Sequence, residues 1–169
     1  VGTILQQELG IHGCAAFIVE SSGSGFIYAL SIADKFVASG AAKNALVIGA
    51  ETLSRITDWT DRTTCVLFGD GAGAVVLQPA EEQGIISTHL HADGKYKDLL
   101  YAPAGVSQQP KGDIKKEFAI HMQGNEVFKV AVKTLGAVVQ ETLDANNLDH
   151  DQLDWLVPQR ANKRIIEAT

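Results

Sequence analysis

The sequence predicts an α/β fold in which helices layer against a largely buried sheet. Strand-length apolar runs alternate with segments of helical period. The run Ala45-Leu-Val-Ile48 is continuously apolar, as a strand buried on both faces requires. Gly10 and Gly40 each follow a helical segment, where a left-handed residue closes a helix.

In chain order, Ile4, Leu5 and Leu9 lie on the end of a helix closed by Gly10. Residues 15–19 form a short apolar run suited to a buried strand, and 20–25 a small, Gly/Ser-rich turn. Phe26, Ala29, Leu30, Ala33, Phe36 and Val37 have helical spacing over 26–39. Residues 44–50 read as a strand and 52–63 as polar loop. A strand over 64–68, a turn at Gly69-Asp-Gly-Ala-Gly73 and a strand over 74–77 then make a hairpin. The polar segment 78–83, with Pro79, is the boundary between two parts. Residues 85–91 alternate like a strand, and 92–117, rich in Gly, Lys and Pro, read as a long exposed loop. Val127, Phe128, Ala131, Val132, Leu135 and Val139 place an amphipathic helix over 125–143. A last strand, Trp155-Leu-Val157, ends at Pro158.

The chain of 169 residues is long enough for one sizeable core. Its 46% hydrophobic and 20% charged composition is that of an ordinary globular protein. No apolar run approaches the roughly 20 residues that span a bilayer, and no secretory signal opens the chain, so no membrane partner is expected. The first residue is Val1, which points to a processed or partial chain. Cys14 and Cys65 are too sparse for a disulfide framework and lack metal spacing, which points to a reduced cytoplasmic setting. A net charge of −6 argues against nucleic acid. Basic residues still cluster, at Lys111, Lys115 and Lys116 and at Lys163 and Arg164, and such patches can meet an acidic partner.

Three motifs invite chemistry. Ser21-Ser-Gly-Ser-Gly25 lacks the first glycine of a hydrolase nucleophile elbow, and a small-residue packing turn explains it better. Gly69-Asp-Gly-Ala-Gly73 precedes a strand rather than a helix, so it is no dinucleotide fingerprint. His89 and His91, two apart, share a face and so could share a metal, but no third ligand follows in the sequence. No metal is expected.

Read together, Leu67-Phe-Gly-Asp-Gly-Ala-Gly73, Gly84-Ile-Ile-Ser-Thr-His-Leu-His-Ala-Asp-Gly94, Gly124-Asn-Glu-Val-Phe-Lys-Val130 and Leu153-Asp-Trp-Leu-Val-Pro158 resemble one family, collinearly over essentially the whole chain. That family is β-ketoacyl-acyl carrier protein synthase III. The resemblance implies a thiolase-like fold of layers α-β-α-β-α, here incomplete: residues 1–83 would be the C-terminal part of the first half and 84–169 the N-terminal part of the second. It also implies a homodimer in the bacterial cytoplasm, with residues 16–21 pairing with their twin across the dimer. Plant-type polyketide and hydroxymethylglutaryl synthases share the fold but fit residues 69–73 less specifically.

The implied reaction begins fatty acid synthesis. A cysteine takes an acyl group from acyl-coenzyme A, and malonyl-acyl carrier protein loses carbon dioxide and attacks the resulting thioester. Coenzyme A is then a substrate, and no permanently bound cofactor is implied. The family's cysteine stands two residues before the Gly-Phe pair, which here is Gly25-Phe26, so its position is Gly23. The family's Pro-His-Gln-Ala-Asn is Pro158-Gln159-Arg160-Ala161-Asn162 here, so the histidine position is Gln159. Without sulfur at 23 the chain as written is expected to be inactive, since Ser22 or Ser24 would be a far weaker nucleophile.

The resemblance leaves more of the binding surface in place. Arg62 would stack on the adenine of coenzyme A. Gly124, Asn125, Phe128, Ala161 and Asn162 would line the pantetheine tunnel, and Phe68 would bound the acyl pocket. Lys129, Lys133, Lys163 and Arg164 would receive the acidic carrier protein. Core packing for the two phenylalanines and ordinary solvated charge for the basic residues remain the alternatives. A non-catalytic acyl-thioester-binding or partner subunit is the alternative function.

Overall fold

The computed structural model describes residues 1–82, 84–105, 107–108, 112, 117–159 and 162–168. The basic residues Lys111, Lys115 and Lys116 lie outside the described residues, as do Arg160 and Ala161. The chain divides into two compact units, Val1–Gly49 with Ala74–Glu82, and Ala50–Gly73 with Gln83–Thr169.

In the first unit, helix α1 (Gly2–Glu8) ends where Gly10 takes φ +65° and donates its N–H to the Gln7 carbonyl at 3.0 Å. Helix α2 (Gly25–Ala38) ends the same way: Gly40 has φ +75° and its N–H reaches the Val37 carbonyl at 3.0 Å. A β-carbon would strain both sites, which is why each helix stops at a glycine. Strand β1 (Ala45–Thr52) forms at the continuous apolar run but is not buried on both faces as expected: Val47 is buried, while Leu46 and Ile48 are 46% and 37% exposed. Gly49 lets α2 approach closely, because a β-carbon there would lie 3.3 Å from Cδ2 of Phe26.

Strand β2 (Asp70–Leu77) pairs with β1 in a two-stranded sheet. This corrects the expected hairpin. Residues 69–73 hold no turn, and none of Gly69, Gly71 and Gly73 has a positive φ. The segment expected as a strand, 64–68, is itself turn, because Thr64 and Cys65 bond back to Asp61 and Leu67 N–H bonds to the Thr64 carbonyl at 2.9 Å. Asp70 then opens the strand by accepting from Ser54 N–H at 2.8 Å and Ser54 Oγ at 2.6 Å.

Three other expected strands, 15–19, 85–91 and 155–157, carry no strand geometry. An apolar run supplies one face of a strand, but the ladder needs a neighbour, and no described strand pairs with these segments. Their side chains stand out accordingly, with Phe17 at 58%, Trp155 at 84% and Val157 at 82% exposure.

In the second unit, β3 (Leu100–Tyr101) and β4 (His121–Met122) pair antiparallel, Leu100 opposite Met122 and Tyr101 opposite His121. Helix α3 (Gly124–Ala145) follows directly, as its apolar period predicted, and packs against the short helix α4 (Lys163–Ala168). Among the described residues of this unit, Ala119, Ile120, Leu143 and Ile165 are the buried apolar ones. No described helix is long and apolar enough to cross a membrane.

Candidate active site

Gly23 is the middle residue of a single 3₁₀ turn, Ser22–Ser24, that runs straight into α2. Ser24 N–H bonds to the Ser21 carbonyl at 3.1 Å, and the N–H of Gly25 bonds to Ser22. Ser22 has φ +45°, a left-handed conformation uncommon outside glycine. A side chain at 23 would sit just before the N-terminus of a 14-residue helix, where the macrodipole favours an anion such as a thiolate. Glycine offers no such group, and the flanking Ser22 and Ser24 are exposed to water.

The remaining predicted residues belong to the second unit. Gln159 is exposed and follows Pro158 in a segment without regular structure. Ala161 lies outside the described residues. Asn162 is committed to the start of α4: its Oδ1 accepts the Arg164 N–H at 2.9 Å and its carbonyl accepts Ile165 N–H at 3.0 Å. Such a cap satisfies one of the first donors of a helix.

Gly124 and Asn125 open α3 and are exposed. One turn on, half-buried Phe128 lies 5.8 Å below the Arg164 guanidinium, so α3 and α4 bring an expected tunnel residue and an expected patch residue together. Lys129 pairs with Glu126 at 2.8 Å and Lys163 with Glu167 at 3.3 Å, each within its own helix. Exposed pairs of this kind add little stability, so both ammonium groups can exchange partners cheaply. Lys133 is exposed on α3.

Arg62 stands on a loop that two aspartates organise. Asp58 Oδ1 accepts the N–H of Thr60 at 2.9 Å and its hydroxyl at 2.6 Å. Asp61 Oδ1 accepts the N–H of Thr63 at 2.9 Å and its hydroxyl at 2.6 Å, while Oδ2 takes the Thr64 hydroxyl at 2.8 Å. The Thr60 bonds hold Asp58 below the usual aspartate pKa, and the Thr63 and Thr64 bonds do the same for Asp61. Asp70 is lowered likewise by its bonds from Ser54. His121, whose ring stacks on Tyr101 at 5.4 Å, adds a smaller electrostatic lowering to Asp61. Phe68, just after this loop, is half-buried.

Sequence reasoning passed over Asp58 and Asp61, although the repeated Asp-x-Thr spacing is a recognisable side-chain turn signal. It also passed over Glu141. His89 and His91 do share a face, and Glu141 of α3 occupies it, with Oε1 3.2 Å from His89 Nδ1 and Oε2 2.8 Å from His91 Nε2. Among the described residues no group of three or more His, Cys, Asp or Glu is arranged to hold a metal. Cys14 and Cys65 are both free thiols.

Residues 17–94 match the family model for 3-oxoacyl-[acyl-carrier-protein (ACP)] synthase III. A β-ketoacyl-[acyl-carrier-protein] synthase III from Thioalkalivibrio sulfidiphilus is 62% identical over 166 residues, 98% of this chain and 52% of that protein. The crystal structure of a synthase III from Thermus thermophilus superposes with a TM-score of 0.88 at 38% identity, over 99% of this chain and 52% of that one. The corresponding structure from Aquifex aeolicus gives 0.87 at 44% identity, over 99% and 51%. The chain spans about half the length of the curated relatives it matches. On the motifs, the helix and strand order and these likenesses, the chain belongs to the β-ketoacyl-acyl carrier protein synthase III family and has its thiolase-type α/β fold.

Proposed function

We propose that this chain is part of a condensing enzyme that begins fatty acid synthesis by joining an acyl group from acyl-coenzyme A to malonyl-acyl carrier protein with loss of carbon dioxide, and that it does not itself condense. The observation that carries both halves of the proposal is the turn at 22–24. It keeps the helix-entry geometry that suits a thiolate, and it holds Gly23 there. With a cysteine at 23, the thiolate would attack the thioester carbon and coenzyme A would leave as its thiolate, which takes up a proton. Without sulfur no acyl-enzyme forms, and an amide at Gln159 cannot take the place of an imidazole that changes its protonation state.

Binding rests on residues that remain. Arg62 holds the nucleotide end of coenzyme A, while Gly124, Asn125, Phe128, Ala161 and Asn162 line the pantetheine path and Phe68 bounds the acyl end. Lys129, Lys133, Lys163 and Arg164 receive the carrier protein. The Arg164–Phe128 stack supports a shared path for carrier and pantetheine. The reading extends to a cytoplasmic homodimer, with residues 1–83 in the first half of the fold and 84–169 in the second.

Incubating the chain with acetyl-coenzyme A and weighing the intact protein tests this. The chain as it stands should gain nothing, and Gly23→Cys should gain one acetyl group. Stable acylation of the unaltered chain would overturn the inactivity reading. The survival of these binding positions favours a second reading, a non-catalytic module that holds acyl-thioesters or partners an active synthase. Calorimetry with coenzyme A addresses it, and absence of binding would remove it.

A further inference from the structure

Ser87, His89 and His91 meet Glu141 of α3 and Asn146 at its end in one run of hydrogen bonds, and the chemistry of each group fixes where the protons lie. The Thr142 carbonyl only accepts, and Asn146 Nδ2 donates to it at 2.7 Å, which sets the orientation of that amide. The second hydrogen of the same nitrogen goes to Ser87 Oγ at 2.7 Å. Ser87 Oγ therefore accepts from Asn146 and has its own proton to give, and His89 Nε2 lies 3.0 Å away to receive it. An imidazole that accepts at Nε2 carries its proton at Nδ1, and Glu141 Oε1 accepts from that nitrogen at 3.2 Å. The other carboxylate oxygen takes the Nε2–H of His91 at 2.8 Å, so Glu141 is held from two sides.

From the hydroxyl outward the order is alcohol, imidazole at Nε2, then carboxylate at Nδ1. Serine hydrolases of unrelated folds use the same atoms in the same roles. Ser87 is partly open to water, the His89 side chain is 18% exposed and that of Glu141 42%, so the hydroxyl is within reach of a small molecule.

We propose that Ser87, His89 and Glu141 form a hydrolytic site for small carboxylic esters. Ser87 Oγ bonds to the ester carbonyl carbon as its proton passes to His89 Nε2. The tetrahedral intermediate then expels the alcohol, which takes up that proton. Water next attacks the acyl-serine carbon and gives a proton to the same nitrogen; the carboxylic acid leaves and Oγ recovers its proton. Once the carbonyl carbon is on Oγ, Asn146 Nδ2–H is a side-chain donor beside the oxyanion. Ser87 and His89 are the catalytic residues. Glu141 is a positioning residue that keeps the imidazole in the accepting tautomer, and His91 steadies it. The site uses no residue given a role in coenzyme or carrier binding, so the two readings stand or fall separately.

A fluorophosphonate tests the nucleophile, because its phosphorus bonds to an activated serine oxygen with loss of fluoride; p-nitrophenyl acetate tests turnover. Peptide mapping should place one phosphonyl group on Ser87, and Ser87→Ala should take up none. His89→Gln should slow ester turnover about a hundredfold, the scale of a lost general base. Glu141→Gln should lower kcat by about a hundredfold or more with KM unchanged, since an amide still bonds the ring but favours the wrong tautomer. A purely structural tie would loosen residues 85–91 in hydrogen exchange and leave kcat alone. No adduct, an adduct on another residue, or Ser87→Ala turning over the ester as the parent does would each overturn the proposal.

Discussion

Asp58 and Asp61 order their loop only while they are charged, because each is an acceptor for hydrogen bonds that its acid form receives less well. Both titrate below the ordinary aspartate value of about 3.9 in the folded loop. Their contribution to stability is thus complete above about pH 4 and is lost as pH falls through the lowered values. Trp59 emission should report this as a transition below pH 4, and replacing both aspartates with asparagine should remove the acid step. If the paired variant keeps the transition, the loop is held by something else. Gly23 shows the converse at the same scale. That no side chain stands at 23 is read directly from the sequence, whereas the positive φ of Ser22 was not legible, since serine carries no signal for it.

Among the elements, helices were more legible than strands. α2 and α3 were predicted to within a residue or two because the apolar period is a local signal, as is the glycine that closes α2. The strand segments failed where pairing decides, since 15–19, 85–91 and 155–157 look like strands in isolation but a ladder is not local. The segment 85–91 is instead tied to α3 by side chains: His89 and His91 on Glu141, and Ser87 accepting from Asn146 Nδ2 at 2.7 Å. Glu141→Ala should loosen that segment and lower stability by about 1 kcal/mol, the scale of an ordinary hydrogen bond. Hydrogen exchange over 85–91 together with chemical denaturation measures it, and unchanged exchange would show that the tie is idle. Leu143, 3% exposed on the same helix, should cost more: Leu143→Ala should remove about 3 kcal/mol by leaving a cavity.

Across the whole molecule, apolar side chains face outward on several elements: Ile4 at 67%, Ile18 at 62%, Val66 at 76% and Val76 at 65% exposure. Surfaces of this kind mark places where other protein belongs. The chain should therefore bind a hydrophobic reporter dye strongly, and mixing it with a relative's complementary half should suppress that signal. A chain that leaves the dye dark would show these faces already covered. At this scale the family was legible from the order of its motifs, because their collinear spacing runs along the chain.

The segment around Phe17 has the make-up of a strand, and no described strand pairs with it. A segment of this make-up can pair with an extended chain that comes alongside. During synthesis at high concentration that chain will most often be a sibling, and the contest between orderly association and fibre-like deposits is settled there. Yield should then rise with slower expression and with a charged residue placed at Phe17.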